Sequence, residues 1–164
     1  MKKLLLISIL LTSIIQANDK KYDDVFKYRK LACENNNVNA CYNLAVMYAT
    51  GQNIEKNLKK SLKYYIKASE LGDTGATYFV GQIYATGRGV EQNYKKAAEF
   101  FEIAAKEDNP RAIKNLGSLY YRGNGVKQDK FKSYQLWMKA AKLGSTDAQN
   151  ALDVLCKESP WACK

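Results

Sequence analysis

The chain has 164 residues, of which 46% are hydrophobic and 26% charged, an ordinary globular mixture long enough for one domain. It contains no His, which excludes imidazole bases, imidazole metal ligands and any Ser-His or Cys-His nucleophile pair. With 2 Pro and 10 Gly it is neither collagenous nor Pro-rich, and its apolar content is too high for a disordered chain.

Residues 1–17 read as an export signal. Lys2 and Lys3 form a positive start, Leu4 to Ile15 is apolar except for Ser8, Thr12 and Ser13, and Ala17 is a small residue at the expected cut. The apolar stretch is shorter than the roughly 20 residues of a membrane span, so no stable span is expected after cleavage. No Cys lies near the cut, so a lipid anchor is not indicated. The expected location is secreted or periplasmic. Removing the signal takes away two Lys and no acid, which lowers the net charge from +10 to +8. That balance favours acidic partners or an anionic surface. The plainer reading is solvated Lys on helix backs, since Lys60, Lys96 and Lys132 recur at one helical position.

The segment 18–164 is periodic. Ala40, Ala76, Ala112 and Ala148 are spaced by 36 residues, and Leu44, Val80, Leu116 and Leu152 keep that step. So do Tyr48, Tyr84 and Tyr120, the glycines Gly51, Gly87 and Gly123, and later Ala68, Ala104 and Ala140. Three units are expected at about 40–75, 76–111 and 112–147. In each, a first helix carries its apolar residues at steps of three and four. It stops at a glycine suited to the left-handed conformation, and a second such residue follows at Asn53, Gly89 or Gly125. Ala45, Gly81 and Gly117 are small residues beside the apolar stripe, where a neighbouring helix can approach closely. A second helix carries the aromatic-rich pairs Tyr64–Tyr65, Phe100–Phe101 and Leu136–Trp137, and ends around Gly72, Asp108 or Gly144. A half-unit with Val25, Tyr28 and Ala32 precedes the first unit, and a lone first helix from Thr146 to about Cys156 follows the last. The expected fold is all-α, a right-handed α-solenoid of antiparallel helical hairpins.

Cys33, Cys41, Cys156 and Cys163 form two close pairs, one near each end of the exported chain. An even set of paired Cys in an exported protein reads as disulfides, Cys33 with Cys41 and Cys156 with Cys163. The competing four-thiolate zinc site would need short Cys-x-x-Cys spacings, which these are not. No metal and no cofactor are expected. Gly87-Arg88-Gly89 lacks the third glycine and the preceding strand of a phosphate loop. The 12 Tyr mostly fall at repeated core positions such as Tyr48, Tyr84 and Tyr120, which together with export argues against a nucleic-acid partner.

The run from Ala76 to Val90, continued from Lys96 to Ala105, resembles the Sel-like repeat, a relative of the tetratricopeptide repeat. Lys30-Leu31-Ala32-Cys33 through Ala40-Cys41-Tyr42-Asn43-Leu44 is similar to the cysteine-rich Helicobacter protein family, whose members carry such a Cys pair in repeat after repeat. Here the later equivalents are Ser69 and Thr77, Ala105 and Ile113, and Ala141 and Gln149. That second resemblance implies a penicillin-binding protein or weak β-lactamase. The residues supply no Ser-x-x-Lys, Lys-Thr-Gly or Ser-Asp-Asn for a serine enzyme and no His for a zinc enzyme. The alternative is a non-enzymatic scaffold in the cell envelope that binds a peptide, a protein or a carboxylate-bearing cell-wall ligand. By analogy with tetratricopeptide repeats, first helices line a concave groove. Its expected members are Tyr42, Tyr78, Gln82, Arg111, Lys114, Ser118, Tyr121 and Arg122. Tyr bodies with cationic tips suit a carboxylate.

Overall fold

The computed structural model describes residues 23–163, so the expected export signal lies outside the described residues. Among the described residues the backbone is helix and turn, with no strand. Helix α1 covers 23–34, followed by α2 Val38–Thr50, α3 Leu58–Glu70, α4 Thr74–Thr86, α5 Tyr94–Lys106, α6 Pro110–Arg122, α7 Lys130–Lys142 and α8 Thr146–Glu158. A final 3-10 turn spans Pro160–Cys163. From α2 to α8 consecutive helices pack on one another, which makes an all-α solenoid of antiparallel hairpins α2–α3, α4–α5 and α6–α7.

The boundaries follow from capping. Asn37, Asp73, Asn109 and Ser145 precede the first helices, and Asn57, Asn93 and Asp129 precede the second. Each side chain accepts a hydrogen bond from the backbone N–H three residues on, satisfying a donor the helix itself leaves open. The third residues are the repeated Ala40, Ala76, Ala112 and Ala148, and Lys60, Lys96 and Lys132. The first helices therefore start at Val38, Thr74 and Pro110, two residues ahead of the expected unit starts at Ala40, Ala76 and Ala112. The alanines are the visible mark because they are buried, Ala76 and Ala112 completely.

The turns close by the same logic. Gly51, Gly87 and Gly123 take φ of 78°, 69° and 73°, and Asn53 takes 60° where later units have glycine. The N–H of Asn57, Asn93 or Asp129 then donates to the carbonyl of Tyr48, Tyr84 or Tyr120. Within each hairpin a large ring seats on a small residue. A Cβ on Gly81 would lie 2.7 Å from the Phe101 ring, and one on Gly117 would lie 2.6 Å from Trp137 Nε1. The first unit has Ala45 and Tyr65 at these two positions, in one core cluster, and all three rings are buried.

Two expectations about packing change. Of the repeated tyrosines only Tyr48 is fully buried, while Tyr84 and Tyr120 are half-buried. Phe26 of α1 packs on Tyr48 alone, whereas the repeated lysines stand over all three rings. Lys60, Lys96 and Lys132 sit 5.3, 5.1 and 4.0 Å from the ring centroids of Tyr48, Tyr84 and Tyr120. They cover the aromatic faces instead of standing free in solvent, a contact worth about 0.5–1 kcal/mol at an exposed site. In α1, Val25 and Tyr28 are exposed because no earlier hairpin among the described residues covers them. Phe26 makes the inward contact, edge-on to Tyr48 at 6.0 Å.

Both disulfides form as expected. Cys33 joins α1 to α2 through Cys41, and Cys156 joins α8 to the last turn through Cys163. This pairing overturns the zinc alternative. At the carboxyl end the turn folds back so that Ala162 is fully buried with Leu155 and Trp137.

Candidate binding groove

Successive first helices share one face. Tyr78, Phe79 and Gln82 of α4, Arg111 and Lys114 of α6, and Ser145 with Asp147 at the start of α8 line a cleft of about 340 Å³. The alignment follows from the 36-residue period, which puts Tyr78 and Lys114 at one helical position and Arg111 and Asp147 at another. Tyr42 takes the Tyr78 position on α2, packed edge-on to Tyr65 at 5.6 Å and tilted against Phe79 at 6.1 Å.

The cleft is cationic on one wall. Arg111 is exposed and has no ion-pair partner among the described residues. Burial raises the pKa of Tyr78, while Arg111 and a hydrogen bond with Asn115 pull it back. Burial also raises the pKa of Tyr42, assisted by Asp73 and opposed by Arg111. Both phenols therefore stay neutral at ordinary pH.

Sequence reasoning missed Asp147. Its carboxylate lies 3.8 Å from Lys114 Nζ, so Lys114 already has an anionic neighbour. The pair is exposed on the Asp147 side and is worth at most about 1 kcal/mol, so an incoming anion can compete with it. The signal was present, because Asp147 occupies the Arg111 position one unit later and stands one step beyond Lys114 along the groove.

The other expected residues fall elsewhere or are already occupied. Ser118 donates its hydroxyl to the Lys114 carbonyl at 3.2 Å, within its own helix. Arg122 is exposed at the end of α6, where a cation complements the helix dipole. Tyr121 does not join the Arg111 cleft. Its ring packs 5.5 Å from Trp137, Lys130 Nζ lies 5.5 Å over it, and its hydroxyl donates to Glu158. That hydrogen bond is the main cause of its raised pKa.

Among the described residues no group of His, Cys, Asp and Glu is placed to hold a metal ion. Lys130 Nζ donates to Ser159 Oγ at 2.8 Å, a Ser–Lys pair invisible in the spacing. Ser159, however, is only 3% exposed, so its oxygen cannot reach a substrate carbonyl. The contact ties α7 to the end of α8.

A second cleft of about 290 Å³ shares Phe79 and Gln82 with the first. It is lined also by Ala49, Leu58, Ser61, Tyr65, Ile83, Thr86 and Arg88, between the first hairpin and α4. Burial pushes the Tyr65 pKa up to about 12.

Among the described residues no helix is long and apolar enough to cross a membrane. The two disulfides are those of an extracytoplasmic protein. The Sel1 repeat model matches at residues 38–73, 74–109 and 110–145. No curated protein matches the chain. Among solved structures, a protective antigen of uropathogenic Escherichia coli that displays an SLR fold is 33% identical, with a TM-score of 0.74. The match covers 77% of this chain and 27% of that one. A Sel1 repeat protein from Oxalobacter formigenes is 34% identical over 80% of this chain and 54% of that one, with a TM-score of 0.72. Helicobacter pylori cysteine rich protein B is 28% identical over 82% of this chain and 96% of its own, with a TM-score of 0.62. The chain thus spans about a quarter and about half of the first two. Three matched repeats, in phase with the capped helices and covering more than half of the sequence, show that the chain belongs to the Sel1 repeat family.

Proposed function

We propose that the protein is an exported, non-catalytic binding scaffold whose first-helix face takes an extended, carboxylate-bearing peptide, such as a partner's C-terminus or a cell-wall stem peptide. Sel1 repeats generally mediate protein–protein interactions, which supports the class of activity. The observation that carries the specific reading is the cleft in which Arg111, without an ion-pair partner among the described residues, stands beside Tyr78 and Lys114. An Arg–carboxylate contact can be bidentate and charge-assisted, and the Tyr body offers apolar area next to it.

The test compares a peptide ending in a free carboxylate with its C-terminal amide. The acid should bind more tightly, by about tenfold at low salt, in line with the roughly 1.5–3 kcal/mol of a charge-assisted hydrogen bond. Arg111→Ala should remove that preference while leaving the melting temperature unchanged. Equal affinity for acid and amide would defeat the reading.

Penicillin also carries a carboxylate, so the same cleft accommodates the β-lactam binding implied by resemblance. Turnover is not expected, because the Ser–Lys pair at Ser159 is buried. Sustained nitrocefin hydrolysis by the purified oxidised protein, abolished in Ser159→Ala, would reinstate the enzyme. Residence in the periplasm or outside the cell follows from export through residues 1–17, and N-terminal sequencing of the mature protein checks it.

A further inference from the structure

The repeat supplies an internal comparison for the second cleft. Ala49 and Tyr121 occupy the same position two periods apart. The contacts of Tyr121 are Trp137 beneath its ring, Lys130 over it and Glu158 at its hydroxyl. Shifted back by two periods, these three become Tyr65, Leu58 and Thr86. All three line the cleft beside Ala49. The space that the third unit fills with its own phenol is therefore open in the first. The buried residue beside it is also the same, Ser61 in one and Ser133 in the other, each hydroxyl without a hydrogen-bond partner. The two sites differ in whether a ring occupies them. In the middle unit Tyr94 replaces Leu58 and packs into the local core, with its hydroxyl accepting from Gln92.

We infer that the cleft at Ala49 is a binding site for the phenol ring of a tyrosine side chain on a partner peptide, seated as Tyr121 is seated in the third unit. Tyr65 provides the aromatic wall, Leu58 and Ile83 the apolar walls, and exposed Thr86 and Arg88 the polar mouth where the hydroxyl emerges. A free phenol presents the same ring. The peptide is favoured because the cleft continues through Phe79 and Gln82 into the Arg111 groove, where the rest of an extended chain would lie. The inference deepens the peptide-binding reading and shares its face, but it rests on different residues.

The test uses the oxidised full chain, with N-acetyl-L-tyrosinamide as probe and backbone amide NMR as readout. Saturable shifts are expected at Ala49, Ile83 and Thr86, with N-acetyl-L-leucinamide and p-cresol each at least fivefold weaker. Ala49→Tyr should fill the cleft from within, abolish these shifts and leave the melting temperature no lower. Tyr121→Ala should open the equivalent space and add a second set of shifts, at Ala151, Leu155 and Glu158. The second variant keeps the test decisive if the first fails to fold. Absence of saturable shifts in the parent, or unchanged binding in Ala49→Tyr, would overturn the site. Equal binding of leucinamide would overturn the aromatic preference, and equal binding of p-cresol the peptide source. A peptide whose affinity falls in Arg111→Ala but not in Ala49→Tyr would leave the groove standing and remove only this site.

Discussion

The junction between α1 and α2 and the junction between α3 and α4 occupy the same place in the repeat, yet they are held by different chemistry. At the first, Cys33 and Cys41 are bonded, with Cα atoms 4.7 Å apart. One period later Ser69 and Thr77 stand there, their oxygens 2.7 Å apart. Thr77 already donates to the Asp73 carbonyl, which leaves Ser69 as the donor between them. A further period on, Ala105 packs beside the fully buried Ile113. The junction thus closes with a bonded pair, a hydrogen-bonded pair or an apolar pair in contact, and the covalent bond is an addition. It is added where a helix has only one packed neighbour among the described residues. A terminal unit of a solenoid frays most readily, because its free energy includes one interface instead of two. The second disulfide, at the other end, ties the last turn to α8, beyond which no further helix packs among the described residues.

The largest expected effect comes from turning the first junction into a copy of the second. The Cys33→Ser, Cys41→Thr double variant should lose about 2–3 kcal/mol, the loop-closure contribution of a short disulfide. Hydrogen exchange should show that loss concentrated in α1 and α2. A uniform loss across all three hairpins would mean that the staple supports the whole solenoid and not its end.

Alkali distinguishes the units next. Tyr65, Phe101 and Trp137 are equivalent rings, but only the first can ionise. Its pKa is raised by burial to about 12, against an ordinary value of 10.0. The neutral form is therefore favoured by folding, so its stabilisation is complete below pH 10 and lost as the pH rises through 12. The decline should reach roughly 2 kcal/mol by pH 12, short of the full value of about 1.4 kcal/mol for each pH unit between the two pKa values because the folded phenol is by then half ionised. Tyr65→Phe should remove that part of the alkaline loss, read as urea midpoints from pH 9 to 12. An unchanged profile in Tyr65→Phe would assign the loss to other groups.

Smallest is Ser69→Ala. It deletes the hydrogen bond at the second junction but leaves Thr77 paired with Asp73, so about 1 kcal/mol or less should be lost. A cost matching that of the disulfide variant would contradict the view that interior junctions rely on their two neighbours. Calorimetry of the three proteins side by side ranks them.

Much of the scaffold was legible in the residues because its causes are local. Asn, Asp or Ser three positions before each repeated Ala or Lys caps a helix within one turn, and Gly51, Gly87 and Gly123 end one within their own dihedrals. The small residues at Ala45, Gly81 and Gly117 anticipated the close approach of the rings that seat on them. The Cys pairs were legible for a similar reason, since each lies within nine residues and across one helix junction.

The groove was only half legible. Periodicity aligned Tyr78, Arg111 and Lys114, and the structure brings them into one cleft. Tyr121 sits one residue round the helix from Tyr120, and that step turns it toward Trp137 and Glu158 and away from Arg111. The pairing of Lys114 with Asp147 and of Lys130 with Ser159 joins residues about one period apart, each on a different helix. By itself the sequence determined the helices, their caps, the turns and the 36-residue stack, because backbone propensity and capping act over a few neighbouring residues. Only the tertiary structure decided which repeated positions are filled and which are open, because the space beside Ala49 of α2 depends on the sizes of Leu58 and Tyr65 of α3 and Ile83 of α4, brought together by packing.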